Sequence, residues 1–162
     1  MVNRVVVVDR DLGLKKILID LKELAKAELF VGIQAGTKTT VDYVRGRKQE
    51  AGINVAAYAA ANEFGTDRID ARPFMRTSFD ENLNLLEPFI SHQYGQIIDG
   101  DLDIKTGLGR IGQLLQDNVK VKIRQILIPE LSPITIAKKK SKKPLIDFGQ
   151  MIASVRYVIR MK

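Results

Sequence analysis

Ala27-Glu28-Leu29-Phe30-Val31-Gly32-Ile33 decides the fold class, because it places a strand between helical segments. Its core is aromatic and β-branched, and it stops at the breakers Gln34-Ala35-Gly36. Upstream, Leu14, Ile17, Leu18, Leu21, Leu24 and Ala25 recur at spacings of three and four, an amphipathic helical stripe. Asp9 or Asp11 is placed to cap that helix. Before it, the β-branched run Val5 to Val8 reads as a short strand.

Downstream, residues 36–52 are polar and basic without periodicity, a surface loop or hairpin excursion. Asn54 to Asn62 is Ala-rich and helical, halted by Glu63-Phe64-Gly65-Thr66. Pro73 sits where a first helical turn tolerates it, since no intrahelical donor is lost there. Phe79, Leu83, Leu86, Ile90, Tyr94 and Ile97 then form one stripe, with Pro88 expected to bend or split the helix. Another helix carries Ile111, Leu115, Val119, Ile123 and Leu127 at a spacing of four, and Pro129 and Pro133 end it. Residues 134–146 read as an extended basic arm. Finally, residues 153–160 alternate as a terminal strand, with Val155, Tyr157 and Ile159 on one face. Strands near both ends with long helices between them give an α+β class: a small antiparallel sheet packed by two or three long helices. The 162 residues fit a single domain, 1–162.

Composition narrows the function. Apolar residues are 45% and charged residues 28% of the chain, a globular balance. Cysteine is absent, which removes disulfides, thiolate metal sites and cysteine nucleophiles. No apolar run approaches the roughly 18 to 20 residues that span a bilayer, and the N-terminal run is too short for a signal peptide, so a soluble protein without membrane partners is expected. The net charge of +7 is uneven. Lys120 to Lys162 holds 11 basic residues against Glu130 and Asp147, while the first 119 residues carry 15 basic and 17 acidic ones. A basic C-terminal third suits an anionic partner, either nucleic acid or an acidic protein surface, and is also what a solvated basic face looks like.

The motifs that suggest chemistry do not survive inspection. Gly107-Leu108-Gly109-Arg110-Ile111-Gly112 has dinucleotide-type spacing, but no strand feeds it and no acid follows at a strand tip, so the glycines are assigned to a flexible helix start. Asp99, Asp101 and Asp103 alternate as in a calcium loop, yet Ile104 and Arg110 stand where glycine and glutamate are required. His92 is the only histidine, with no serine or acid at a catalytic spacing. The expectation is no enzyme activity, no catalytic residue, no metal and no cofactor.

Two ordered stretches carry a resemblance. The first is Ala56-Ala57-Tyr58-Ala59-Ala60-Ala61-Asn62-Glu63-Phe64-Gly65-Thr66 followed by Ile69-Asp70-Ala71-Arg72-Pro73-Phe74-Met75-Arg76. The second is Pro144-Leu145-Ile146-Asp147-Phe148-Gly149-Gln150-Met151-Ile152-Ala153-Ser154-Val155, preceded by the lysine stretch. Together they resemble the tail-completion and virion-morphogenesis (neck) proteins of long-tailed bacteriophages. In that family an Ala-rich helix ends in Glu-Phe-Gly-Thr and leads to an Arg-Pro-Phe element, and a Leu-Ile-Asp-Thr-Gly turn precedes the last strand. Val31-Gly32-Ile33 also fits the family's early Val-Gly-Ile. Phe148 departs from the usual threonine, Met151 and Ile152 from leucine-arginine, and the 36–52 excursion is longer than typical.

The resemblance implies a structural virion protein, made in the host cytoplasm, that forms a homo-oligomeric ring, with a hexamer expected. Such a ring completes the tail and joins it to the head connector, touching tail terminator or tail tube proteins on one side and head-side connector proteins on the other. DNA passes through the lumen without sequence recognition. Glu63, Phe64, Gly65, Arg72, Pro73, Phe74, Asp147 and Gly149 are the structural motif, and Lys138, Lys139, Lys140, Lys142 and Lys143 are the partner-contact candidates. The alternative is a non-specific nucleic-acid-binding module using the basic C-terminal third.

Overall fold

The computed structural model describes residues 13–34, 42–44, 47–49, 54–139, 142–145 and 149–162. The first helix, α1 (Leu14–Leu24), runs into strand β1 (Ala27–Ile33). A small hairpin follows, β2 (Asp42–Val44) and β3 (Arg47–Gln49), and so the 36–52 excursion contains a hairpin. Next come α2 (Val55–Phe64), α3 (Phe74–Asp80), α4 (Leu83–Asp99) and α5 (Ile104–Gln125). The chain continues through α6 (Pro133–Lys139) and the single turn α7 (Gln150–Ser154) to β4 (Val155–Met161). The class is α+β.

Strand β4 pairs antiparallel with β1, from Ala27 opposite Met161 to Ile33 opposite Val155. The period of two then puts Leu29, Val31, Ile33, Val155, Tyr157 and Ile159 on one face, against α5. Helix α5 is the central packing element. Its buried side carries Leu108, Ile111, Val119 and Ile123, a stripe along most of this 22-residue helix. Val119 and Ile123 join Val55, Ala59, Phe74, Leu145, Met151 and Val155 in one core cluster. Gln116 is buried among them and uses its Oε1 to accept the outward-facing amide of Tyr157 at 3.2 Å. One buried polar side chain therefore satisfies a strand N–H that β1 does not reach.

Several sequence expectations change. The chain breaks at Glu81–Asn82, between α3 and α4, and not at Pro88, which sits inside a continuous α4. Gln93 is buried beside the Leu86 and Ile97 positions, while Tyr94 is exposed; the spacing 86, 93, 97 tracks the helical period better than one that includes 94. Leu127 lies beyond the end of α5, because Ile126 is already extended, and its side chain faces solvent.

The 134–146 arm is helical as far as Lys139. Pro133 occupies a first-turn position that suits its fixed φ, and the Ser132 hydroxyl accepts the Thr135 amide at 3.2 Å. Ser132-Pro133 therefore starts a helix as well as closing the preceding one. At α1 the residue before the helix is Gly13, at φ 105°, with no side-chain cap. The Val5–Val8 strand and the Asp9 and Asp11 caps lie outside the described residues. At α5 the cap is Asp103, whose carboxylate accepts the Thr106 amide at 3.0 Å. The Thr106 side chain first, then its amide, hold the Asp103 carboxyl below the ordinary carboxylate value.

The spaced glycines are interior to α5 and not a flexible helix start, and two of them, Gly107 and Gly112, set how closely the helix approaches its neighbours. A Cβ on Gly112 would sit 2.6 Å from the Tyr157 ring and 3.0 Å from Leu29 Cδ1. A Cβ on Gly107 would meet Ile97 Cδ1 at 2.5 Å, and one on Gly109 has nothing nearer than the Tyr157 hydroxyl at 3.7 Å. Gly112→Ala is expected to lose about 1–3 kcal/mol through overpacking against the sheet. Gly109→Ala is expected to be neutral or to gain up to about 1 kcal/mol, because alanine is the better helix former. Urea unfolding midpoints of the two variants check this, and equal shifts would be inconsistent with close packing at Gly112.

Candidate functional site

The resemblance motif folds into an elbow between α2 and α3. Asn54 caps α2 by accepting the Ala56 amide at 3.0 Å, and Gly65 ends it at φ 78°. Gly65 is packed as well as turned: a Cβ there would lie 3.1 Å from the Ala71 nitrogen. Thr66 and Ile69 then close a tight reversal by mutual backbone bonds of 2.8 and 3.2 Å, and the Thr66 hydroxyl accepts the Arg68 and Ile69 amides. The chain returns so that the Arg72 amide donates to the Asn62 carbonyl at 2.6 Å. Asn62, buried, donates in turn to the Tyr58 carbonyl.

Glu63 is 5% exposed and works as a remote cap. Its two carboxylate oxygens accept the Met75 amide at 2.8 Å and the Arg76 amide at 3.1 Å, the free donors at the start of α3. The Arg76 guanidinium closes the unit, donating to the Glu63 carboxylate at 3.0 Å and to the Glu63 carbonyl at 3.0 Å. It also lies over the exposed Phe64 ring, 5.3 Å from its centroid. Pro73 precedes the helix and Phe74 drops into the core at 1% exposure. In this elbow Glu63 and Gly65 form the joint, Arg72 and Phe74 anchor it, and Phe64 stays outside.

Arg72 reaches furthest. It is buried, yet its guanidinium meets carbonyls: Nε donates to Pro129 at 2.9 Å, and the two terminal nitrogens donate to Asp70 at 3.2 Å and Glu130 at 3.1 Å. The planar fork of arginine supplies such divergent donors from one side chain, and lysine does not. Residues 57 and 58 positions away are thereby fixed to the elbow. The consequence is a rigid loop after α5 that presents apolar side chains to solvent: Leu127 is 55% exposed and Ile128 81%, with Ile134 following at 69% on α6. Along the chain, basic residues precede and follow this knuckle. Lys120 and Arg124 lie on the last turns of α5, Lys138 and Lys139 end α6, and Lys142 is exposed beyond it. Lys143 is exposed too, while Lys140 and Asp147 lie outside the described residues. Gly149 takes φ 69° directly before α7, and so the second motif enters β4 through a helical turn.

At the other end of α5 is a pocket of about 570 Å³ between α1, the α4–α5 turn and the end of β4. Leu102, Ile104, Ile159 and Met161 supply its apolar wall. Asp20, Glu23 and Asp103 stand at it, with Lys16 and Lys105. The Lys16 ammonium lies over Gly100 at the C-terminus of α4, where carbonyls concentrate negative potential.

Sequence reasoning singled out the elbow but missed the knuckle and the pocket. In sequence Leu127 continues the stripe of α5, and nothing there joins Arg72 to residues 129 and 130. Among the described residues no group of three or more His, Cys, Asp or Glu side chains is placed to hold a metal, and His92 is exposed on α4. No described helix is long and apolar enough to cross a membrane. Comparison with protein-family models, curated proteins and solved structures finds no match to this chain.

Arg72→Met is expected to destabilise the fold by about 2–4 kcal/mol, since it removes three charge-assisted bonds made by a buried guanidinium to part-buried carbonyls. Glu63→Ala is expected to cost about 1–3 kcal/mol by uncapping α3. Chemical denaturation measures both. Amide exchange at residues 127–131 is expected to accelerate in the Arg72 variant and not in the Glu63 variant, which separates the loop clamp from general loss of stability.

Proposed function

We propose that the protein is a structural component of the neck of a long-tailed phage, a ring that completes the tail and joins it to the head connector. One observation supports this reading above the others. The two motif stretches, some seventy residues apart, pack together: Ala59 and Phe74 from the first meet Leu145, Met151 and Val155 from the second in a single core cluster. The ordered resemblance thus falls on one scaffold. In this reading the surfaces, not a cleft, do the work, and the chain has no catalytic role. The ring, expected to be a hexamer, contacts tail terminator or tail tube proteins and head-side connector proteins, and DNA passes through its lumen.

The lysines are assigned to acidic protein surfaces in the neck. Lys138 and Lys139 are the last two residues of the short helix α6. DNA that must slide through a ring is poorly served by a tight grip on its backbone, and each neutralised phosphate makes binding steeply salt-dependent. A free nucleic-acid-binding module would instead hold duplex at physiological ionic strength.

Mass spectrometry of purified particles of the encoding phage is expected to find the chain at a fixed ring stoichiometry, and its absence from particles would overturn the assignment. Replacing Lys138, Lys139, Lys140, Lys142 and Lys143 with glutamine is expected to leave the melting temperature within a few degrees and to reduce head–tail joining. Fluorescence anisotropy with duplex DNA at about 0.15 M salt, where exposed charges are screened beyond roughly 8 Å, is expected to show negligible binding. Sub-micromolar affinity there would favour the nucleic-acid module.

A further inference from the structure

We infer that copies of this chain join head to tail by seating the Leu127–Ile128 knuckle of one copy in the α1/α5/β4 pocket of the next. The inference rests on the ring reading and names its self-interface.

The two surfaces lie at opposite ends of α5. A 22-residue helix is about 33 Å long, so a knuckle cannot fill the pocket of its own chain. Two different patches meeting between copies make a heterologous contact, and repetition of such a contact closes a ring when the rotation permits.

The chemistry of the two patches matches. The knuckle is apolar and rigid: Ile128 is among the most exposed large apolar side chains described, and Arg72 fixes the two carbonyls that follow it. An exposed isoleucine on a clamped loop loses little freedom on docking, which is the property of an interface anchor. The pocket offers an apolar wall within a volume suited to a few side chains.

Charge sets the orientation. Lys120 and the exposed Arg124 stand on the last turns of α5 just before the knuckle, and Glu130 is the one acid between them and Pro133. At the pocket, Asp20, Glu23 and Asp103 are joined by the exposed Asp99 and Asp101 of the adjoining turn. Lys16 and Lys105 oppose them, and Lys16 is already drawn to the C-terminus of α4. The pocket end is therefore net acidic and the knuckle end net basic. Such complementarity favours knuckle-to-pocket encounters and disfavours knuckle-to-knuckle ones.

A chain without cysteine permits a clean test. Single-cysteine variants Ile128→Cys, Lys105→Cys and Glu87→Cys all change exposed side chains, and each is checked for an unaltered melting curve. Disulfides form only between residues whose Cα atoms come within about 7 Å, so oxidation reports the contact even when association is weak. A mixture of Ile128→Cys and Lys105→Cys is expected to give at least about tenfold more cross-linked dimer than either variant alone or Ile128→Cys with Glu87→Cys, the α4 control. The yield is expected to fall as salt rises, because rim charges are then screened.

Cross-linking of the 128/105 mixture at the control level overturns the interface. If particle stoichiometry still counts a ring, the ring reading stands and another surface closes it. If the mixture cross-links selectively but the chain is missing from particles, the head-to-tail contact stands and the neck assignment falls.

Discussion

A guanidinium buried against three carbonyl oxygens is an unusual way to hold a small protein together, and much of this fold depends on it. Arg72 follows a reversal that brings its own amide back to Asn62, so its position is set by α2. From there it fastens the loop after α5, the helix on which the sheet rests. Glu63, nine residues earlier, caps α3 from the same elbow. The joint thus ties α2, α3 and the exit of α5 into one unit using two charged side chains that do not pair with each other. Charge-assisted bonds of this kind are stronger than neutral ones, and breaking them leaves buried groups unsatisfied. Precision in the elbow is transmitted to the surface, where it fixes the direction of Leu127 and Ile128.

Close approach is the second constraint. Gly112 lets the Tyr157 ring and Leu29 lie on the α5 backbone, and Gly107 does the same for Ile97. Helix α5 therefore serves two neighbours, the sheet through one part of its length and α4 through another. Of these dinucleotide-like glycines, Gly107 and Gly112 lie on the buried face of the helix and serve packing, while Gly109 has no close neighbour.

Elements with a strong local pattern were legible in the sequence. The seven residues of β1 match their sequence reading from Ala27 to Ile33, and the strand alternation of β4 was visible in Val155, Tyr157 and Ile159. The stripe of α5 was visible because its spacing of four runs for many turns. Punctuation was harder. Pro88 does not interrupt α4 because the helix as a whole is packed on α5, whereas Glu81–Asn82, carrying no proline, breaks the chain. Pro133 reads in sequence only as a stop, and the Ser132 hydroxyl accepting the Thr135 amide shows that a helix also starts there. Of the candidate site, Glu63, Gly65, Arg72 and Phe74 could be singled out, but their partners could not. The bonds from Arg72 to residues 129 and 130 span the whole of α3, α4 and α5, and local sequence carries no trace of them.

The pairing of β1 with β4 has a consequence for synthesis. The opposed residues are between 122 and 134 positions apart, and Val155, at the start of β4, is wholly buried in the core. Contacts so distant in sequence form late, after the entropy of closing a long loop has been met. While the ribosome is still short of β4, the growing chain has α5 without the strand that covers it. A copy broken off before Val155 lacks part of its core and the strand that pairs with β1. The core of this fold is therefore complete only once β4 has been made.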